Sequence, residues 1–468
     1  MTAHADTTTR AASGRATGLS PDIKAFVARL HFYAGLLVGP FILIAALTGT
    51  LYVLTPQIEN RLYREQLTAP AQGEAQPLSA QIVAARGHIG EGPRLFAVRP
   101  ATAPGLTTRV MFTQPGLGES ESRAVFVDPV SLAIRGELVA YGTTGILPFR
   151  TTLDYLHRNL LLGEPGRLYS ELAASWLWAV ALGGVVLWIW RRKPGAGRRA
   201  KGNPALWTRH WHGLIGLVLS LGLLFVSVTG LTWSRHAGDR IDALRAQLGW
   251  VTPSASVALG AAPAAAGHGG HDHADHAPAP AAAVPVAASA TEGARFDAVL
   301  AAARKGGIDA PHVEIRAPRG EGQGWLVREY DRSWPTQVDT VVIDPRDMLV
   351  ASRADFETFP LIAKLIRWGI DGHMGILFGL PNQLLMAALG LGLATVVVLG
   401  YRIWWRQRPA AGAFPQTLAQ AWLRLGPVAR SVAVLLACGL GWSLPLLGIS
   451  LAAFVLVDLL RWRLALAA

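Results

Sequence analysis

His31-Phe32-Tyr33-Ala34-Gly35-Leu36 opens an uncharged run that reaches Leu54, with Thr48-Gly49 near its end. Crossing the hydrocarbon core of a bilayer takes roughly 20 apolar residues, so Phe32–Leu54 reads as a transmembrane helix. It is too long for the apolar core of a cleaved secretion signal and is expected to stay as an anchor. The stretch then recurs. His212-Gly213-Leu214-Ile215-Gly216-Leu217 is followed by Thr229-Gly230, and both matches are offset by 181 (31 to 212, 48 to 229). Val127-Asp128-Pro129 matches Ile343-Asp344-Pro345, and His157 with Gly163 and Pro165 matches His373 with Gly379 and Pro381, all offset by 216 (128 to 344, 157 to 373). The difference of 35 falls on an Ala/Pro/His-rich stretch near 253–292. The chain therefore reads as a tandem duplication of helix, extramembrane module and helix, with a pseudo-twofold axis along the membrane normal.

Three further runs, Leu172–Trp190, Gly213–Trp233 and Leu384–Tyr401, are likewise uncharged and of spanning length. Ser431–Val457 is interrupted by Trp442-Ser443-Leu444-Pro445. It reads as a hairpin of two short helices, Pro427–Trp442 and Pro445–Leu464, with proline opening the second; one kinked helix is the alternative. Composition agrees with a membrane protein: 16% of the 468 residues are charged, against about 25% in soluble domains. The net charge of +12 does not point to nucleic acid, because the basic residues cluster beside the apolar runs. The single cysteine, Cys438, excludes an intrachain disulfide and a cysteine-based metal site.

Short loops rich in Lys and Arg face the cytoplasm. The linker Arg191–Arg209 carries seven basic residues and no acid, and Arg402, Arg406, Arg408 and Arg424 follow the fourth run. The expectation is a bacterial inner-membrane protein with a cytoplasmic N-terminal tail (1–26). A first span (27–56), a periplasmic module (57–150), and an interfacial helix with the second span (151–191) follow it. After a basic cytoplasmic loop (192–208) come the third span (209–236) and a second module that holds the insert (237–356). An interfacial helix with the fourth span (357–406), a cytoplasmic loop (407–426) and the hairpin (427–468) complete the chain. Each module reads as a small α+β unit. The first has a helix near Ser79–Arg86 before strands Arg94–Val98, Arg109–Thr113 and Ala124–Val127; the second has Ala294–Arg304 before Val313–Arg316, Trp325–Glu329 and Thr340–Ile343. Asp-Pro turns close the last strand of each. The fold class is an α-helical membrane bundle with two periplasmic α+β modules.

Ionisable residues at membrane depth are rare and functional by default. His31 and His212 are repeat equivalents at the cytoplasmic ends of their spans, so a duplicated bundle brings them face to face as an axial pair for a haem iron. Gly35 and Gly39 after His31, and Gly216 and Ser220 after His212, leave room for a flat macrocycle or simply let helices pack closely. His157 and His373 form a second pair on the periplasmic side. Read singly, each of the four is more often an anchoring or hydrogen-bonded residue; the pairing favours ligation. His210 competes with His212, but its repeat equivalent is Arg29, and His236 lies just beyond the third span. His268, His271, His273 and His276 form a separate cluster, read either as a loose site for a divalent transition metal or as a solvated linker. No nucleotide-binding fingerprint sits in a strand–turn–helix context, so electrons must come from elsewhere.

Arg29-Leu30-His31 with Gly35 and Thr48-Gly49, the two Asp-Pro turns, and the Trp/Arg-rich span ends Trp188–Arg192 and Trp404–Arg406 resemble the PepSY-associated transmembrane proteins over roughly 22–408. Members are iron-regulated inner-membrane proteins, and some look like periplasmic ferric-siderophore reductases with two b-type haems. The resemblance implies haem ligation at His31, His212, His157 and His373, and reduction of a ferric siderophore by electrons from a quinol or a flavoprotein. The His-rich insert and the C-terminal hairpin depart from the family's minimum. Two rival readings are a non-redox PepSY sensor or inhibitor on membrane anchors, and a metal permease with the His-rich loop as collector.

Overall fold

The computed structural model describes residues 20–118, 120–191, 197, 200–260, 290–408 and 417–467. Helices α1 (Pro21–Val53), α2 (Thr55–Leu62), α3 (Arg64–Leu67) and α4 (Leu78–Ile89) precede strands β1 (Arg94–Arg99), β2 (Thr108–Thr113), β3 (Glu121–Val127) and β4 (Ile134–Tyr141). Helices α5 (Pro148–Asn159), α6 (Arg167–Arg191), α7 (Pro204–Leu231), α8 (His236–Gln247) and α9 (Ala290–Lys305) follow. Strands β5 (Val313–Arg316), β6 (Trp325–Glu329), β7 (Thr340–Ile343) and β8 (Val350–Ala354) lead to α10 (Leu361–His373) and α11 (Leu380–Gln407). The chain ends in α12 (Leu418–Arg424), α13 (Pro427–Ser443) and α14 (Pro445–Ala467).

Among the described residues, five helices are long and apolar enough to cross a membrane: α1, α6, α7, α11 and, over Pro445–Leu464, α14. Their outer faces confirm the environment. Val218 is 72% exposed and Leu221 79%, which only a lipid surround makes favourable. The two helices that carry the first histidine pair begin alike. Ser20 accepts a hydrogen bond from the Ile23 N–H and Asn203 accepts from the Ala205 and Leu206 N–H groups, each followed by proline where no N–H is needed.

Helices α1, α6, α7 and α11 form a closed ring in which each packs on two neighbours. The seam is built of small and medium side chains, including Ala34, Val38, Ala46, Ala173, Ala181 and Ala394, so the backbones approach closely. The fifth region breaks at Leu444, and Gly441 and Gly448 then pack backbone to backbone, so α13 and α14 fold back on each other. Helix α13, at 17 residues, is shorter than the five spans. Helix α14 docks on α6, where Trp176 Nε1 donates to Ser450 Oγ at 2.8 Å and stacks on Phe454.

The extramembrane strands differ from the expectation of two three-stranded modules. They form one antiparallel eight-stranded sheet, ordered β4-β3-β2-β1-β5-β6-β7-β8, joined where Val98 pairs with Ile315. Helices α4 and α9 lie together on one face, where Ile82 and Phe296 pack with Phe112, Val125, Ile315 and Val341 of the sheet. The other face, with Ala97, Met111 and Phe126, packs on Tyr63, Leu67 and Leu147 at the end of the helical bundle. Glu314 stitches the joint from that face, accepting hydrogen bonds from Arg99 at 2.7 Å, Arg316 at 2.7 Å and Arg328 at 3.0 Å. The two Asp-Pro turns are built identically. Leu132 and Met348, again 216 apart, take φ of 61° and 58°, and their N–H groups donate to the Asp128 and Asp344 carbonyls.

Candidate cofactor sites

The structure brings the four predicted histidines together in the predicted pairs. The ring centres of His31 and His212 are 6.4 Å apart, and those of His157 and His373 are 6.5 Å apart. His31 and His212 lie near the starts of α1 and α7, away from the sheet. His157 near the end of α5 and His373 at the end of α10 sit at the sheet end. Seventeen residues separate His31 from Thr48, the partner of His157, which at 1.5 Å per residue places the pairs about 25 Å apart along the bundle.

Nδ1 of three of the rings has a partner. Thr48 Oγ1, 2.8 Å from the Ile44 carbonyl, lies 3.0 Å from His157 Nδ1. Thr229 Oγ1, 2.8 Å from the Phe225 carbonyl, lies 2.6 Å from His373 Nδ1. His212 Nδ1 donates to the Val396 carbonyl at 3.0 Å. A carbonyl only accepts, so His212 Nδ1 carries the hydrogen and its Nε2 keeps the lone pair; with Nδ1 engaged on all three rings, Nε2 is the nitrogen left to ligate a metal. His31 lies beside the backbone of Val180, the equivalent of Val396 216 residues earlier, but its buried Nδ1 lacks a hydrogen bond of standard geometry.

Each ring also rests on a glycine. A Cβ at Gly184 would come within 3.3 Å of His31 Cε1 and one at Gly400 within 3.4 Å of His212 Cε1; at Gly49 and Gly230 the distances to His157 and His373 are 3.0 and 3.9 Å. Gly184 and Gly400 are 216 apart and Gly49 and Gly230 are 181 apart. Gly35 and Gly216 face open space, with no heavy atom within 4 Å of where a Cβ would stand. Gly39 does not: it lies against Tyr401, where it lets two helices pack closely, and Ser220 bonds back to the Leu217 carbonyl within its own helix.

Imidazole nitrogens bind transition metals at about 2 Å, with the ring centre about 1 Å behind, so two trans imidazoles on one ion hold ring centres roughly 6 Å apart. Both pairs meet that spacing. Edge-to-face packing of two rings also reaches it, so the engagement of Nδ1 on three of the four rings is the stronger indication. Chemically, two neutral imidazoles facing each other with small residues around them suit the axial positions of a haem iron.

The other histidines are placed elsewhere. His210 lies against Trp211 and Gly197, outside both pairs. His236 opens α8, where its backbone N–H and that of Ala237 donate to the buried Glu171 at 3.0 Å. Glu171 stands one residue before the second apolar run and is 1% exposed, so a membrane helix does carry a buried acid, in a capping role. His268, His271, His273 and His276 lie outside the described residues. Among those described, no cluster of three or more His, Cys, Asp or Glu is poised for a metal ion.

A sequence profile described as the PepSY-associated TM region matches residues 28–407. The chain belongs to this family. The match holds both histidine pairs and the whole sheet, and it ends before α12, α13 and α14. A search of curated proteins finds no match.

Proposed function

We propose that this PepSY-associated protein is an inner-membrane electron conduit that holds two haem b groups and reduces a ferric chelate on the sheet side. The observation that carries this reading is the meeting of both histidine pairs, one at each end of a four-helix bundle, with Nε2 left available on at least three of the four rings. His31 and His212 would hold one haem, His157 and His373 the other. Bound there, haem supplies a one-electron carrier at each end of the bundle. The protein's own part is to fix the imidazoles. Thr48, Thr229 and the Val396 carbonyl set ring orientation, and the glycines let each ring lie against the neighbouring helix.

In this reading the sheet faces the periplasm and the basic loops around Arg191 and Arg402 face the cytoplasm, which the charge bias of the short loops supports. The reaction is the transfer of one electron to Fe(III) in a chelate such as a siderophore, releasing Fe(II); the electron comes from a quinol or a flavoprotein. Reporter fusions after Ala200 and after Gln407 are then cytoplasmic.

The test is the absorbance of the full-length protein purified from haem-replete cells. A dithionite-reducible, low-spin spectrum with two extractable haem b groups per chain is expected, since the lone Cys438 rules out covalent attachment through two cysteines. A colourless preparation overturns the reading.

A further inference from the structure

Arg150, in the first turn of α5, is buried at 9% exposure, and its guanidinium carbon lies 4.6 Å over the ring of Tyr52, itself 6% exposed. Its Nε and Nη2 are shielded from solvent and make no hydrogen bond of standard geometry among the described residues; the Tyr52 hydroxyl lies within reach of the guanidinium but makes none of standard geometry either. Nε and Nη2 are the two nitrogens along one edge of the guanidinium, the edge that meets a carboxylate with two parallel hydrogen bonds. Leaving such donors buried and unmade costs stability unless an anion answers them.

The surrounding acids do not. Glu59 accepts the backbone N–H of Arg150 at 3.2 Å, not its guanidinium. Burial pushes the carboxyls of Glu59 and Asp154 above their ordinary values, which weakens them as counter-charges. Arg332, which approaches Tyr52 from the other half of the chain, is tied to the fully buried Asp371, with Nε donating at 2.6 Å. The position 216 residues beyond Arg150 is Ile366, so this excess cation exists in the first half only.

Arg150 also stands in register with the outer histidine pair. It precedes His157 by seven residues, two turns on the same face of one helix and about 10 Å along its axis. We propose that Arg150 and the Tyr52 hydroxyl form a carboxylate-binding site on the sheet side of His157 and His373. Two sources carry that chemistry: the propionate of a haem held by the pair, or a carboxylate of the ferric chelate. The choice between them rests on the function proposed above; the site itself does not.

The experiment uses the full-length protein in detergent with Arg150→Gln, Arg150→Lys and Tyr52→Phe. If a propionate is the ligand, Arg150→Gln moves the sheet-side haem to a more negative potential. Loss of the cation favours the ferric state about tenfold, equivalent to 59 mV for one electron. Tyr52→Phe moves it the same way by less, and Arg150→Lys restores part of the shift. If the chelate supplies the carboxylate, the potentials stay unchanged, and citrate, used as the probe, raises the melting temperature of the parent protein but not of Arg150→Gln. Should the protein contain no haem, the proposed function fails and the citrate comparison alone decides this site. Should Arg150→Gln fail to fold, Tyr52→Phe, which keeps the ring beneath Arg150, decides it. Unchanged potentials together with equal citrate responses in folded variants overturn the inference.

Discussion

The Thr48 hydroxyl stands between the Ile44 carbonyl, 2.8 Å away, and His157 Nδ1, 3.0 Å away, and so one side chain ties the imidazole to the first membrane helix. Partners of this kind orient ligating histidines, and removing them typically costs 10–100-fold in metal affinity. Thr48→Val and Thr229→Val keep the shape and remove the hydroxyl. Each is expected to weaken haem binding at the sheet end by about tenfold or more, with no effect at the other end. Haem titration of the apoprotein reads the two sites separately, and equal loss at both sites would refute the assignment.

His31→Ala and His212→Ala should each remove the same haem, with the double variant no worse than either single. A low-spin iron held by two axial imidazoles loses a whole bond in either case, so the partners act as a unit. His157→Ala and His373→Ala should behave likewise for the sheet-end haem and abolish reduction of a ferric chelate. Pyridine haemochrome counts of haem per protein check this. Twice the single loss in a double variant would show that the residues do not share one group.

Glu314 is 1% exposed, and Arg99, Arg316 and Arg328 hold its carboxyl well below the ordinary value of 4.5, against the opposing effect of burial. Because the folded value is the lower one, this contribution to stability is complete above pH 4.5 and is lost progressively as the pH falls from there through the depressed value. Glu314→Ala leaves three arginines without their shared anion, a change that costs about 3–5 kcal/mol when a buried pair is broken. Thermal unfolding followed by circular dichroism should show the sheet melting earlier, with a smaller difference from the parent at pH 3 than at pH 7.

Substituting Gly184 or Gly400 by valine should disturb the pair at the helix starts. A Cβ at either already stands within 3.4 Å of an imidazole carbon, and a branched side chain pushes that ring away. A marked fall in haem at that end, with the sheet-end haem retained, is the expected spectrum. Normal loading of both sites would show that the rings do not need those glycines.

The spans were legible because membrane solvent leaves no alternative to long apolar helices. The histidine pairs were legible because the offset of 181 matches His31 with His212 and the offset of 216 matches His157 with His373. Strands β4 and β8 were not. They are the sheet's two outer edges, and Ile134–Tyr141 carries Arg135, Gly136 and Glu137 while Val350–Ala354 carries Ser352 and Arg353, as edges that resist further pairing do. The joining of the two modules was also invisible, since nothing local in Val98 or Ile315 names its partner. Thr48 and Thr229 were visible as repeat markers but not as hydrogen-bond partners, because their histidines lie 109 and 144 residues further on. Arg150 at the start of a short helix looked like any interfacial cation.

The seam at Val98 and Ile315, with Glu314 bridging to Arg99 across it, acts as a splint between the N-terminal and C-terminal halves. Carriers that move a solute by rocking one half against the other must let those halves pivot. Here a pivot at the sheet end would shear a continuous sheet and pull a buried carboxylate away from its arginine. Electrons cross a rigid scaffold without such a swing, so the brace is compatible with the proposed conduction of charge.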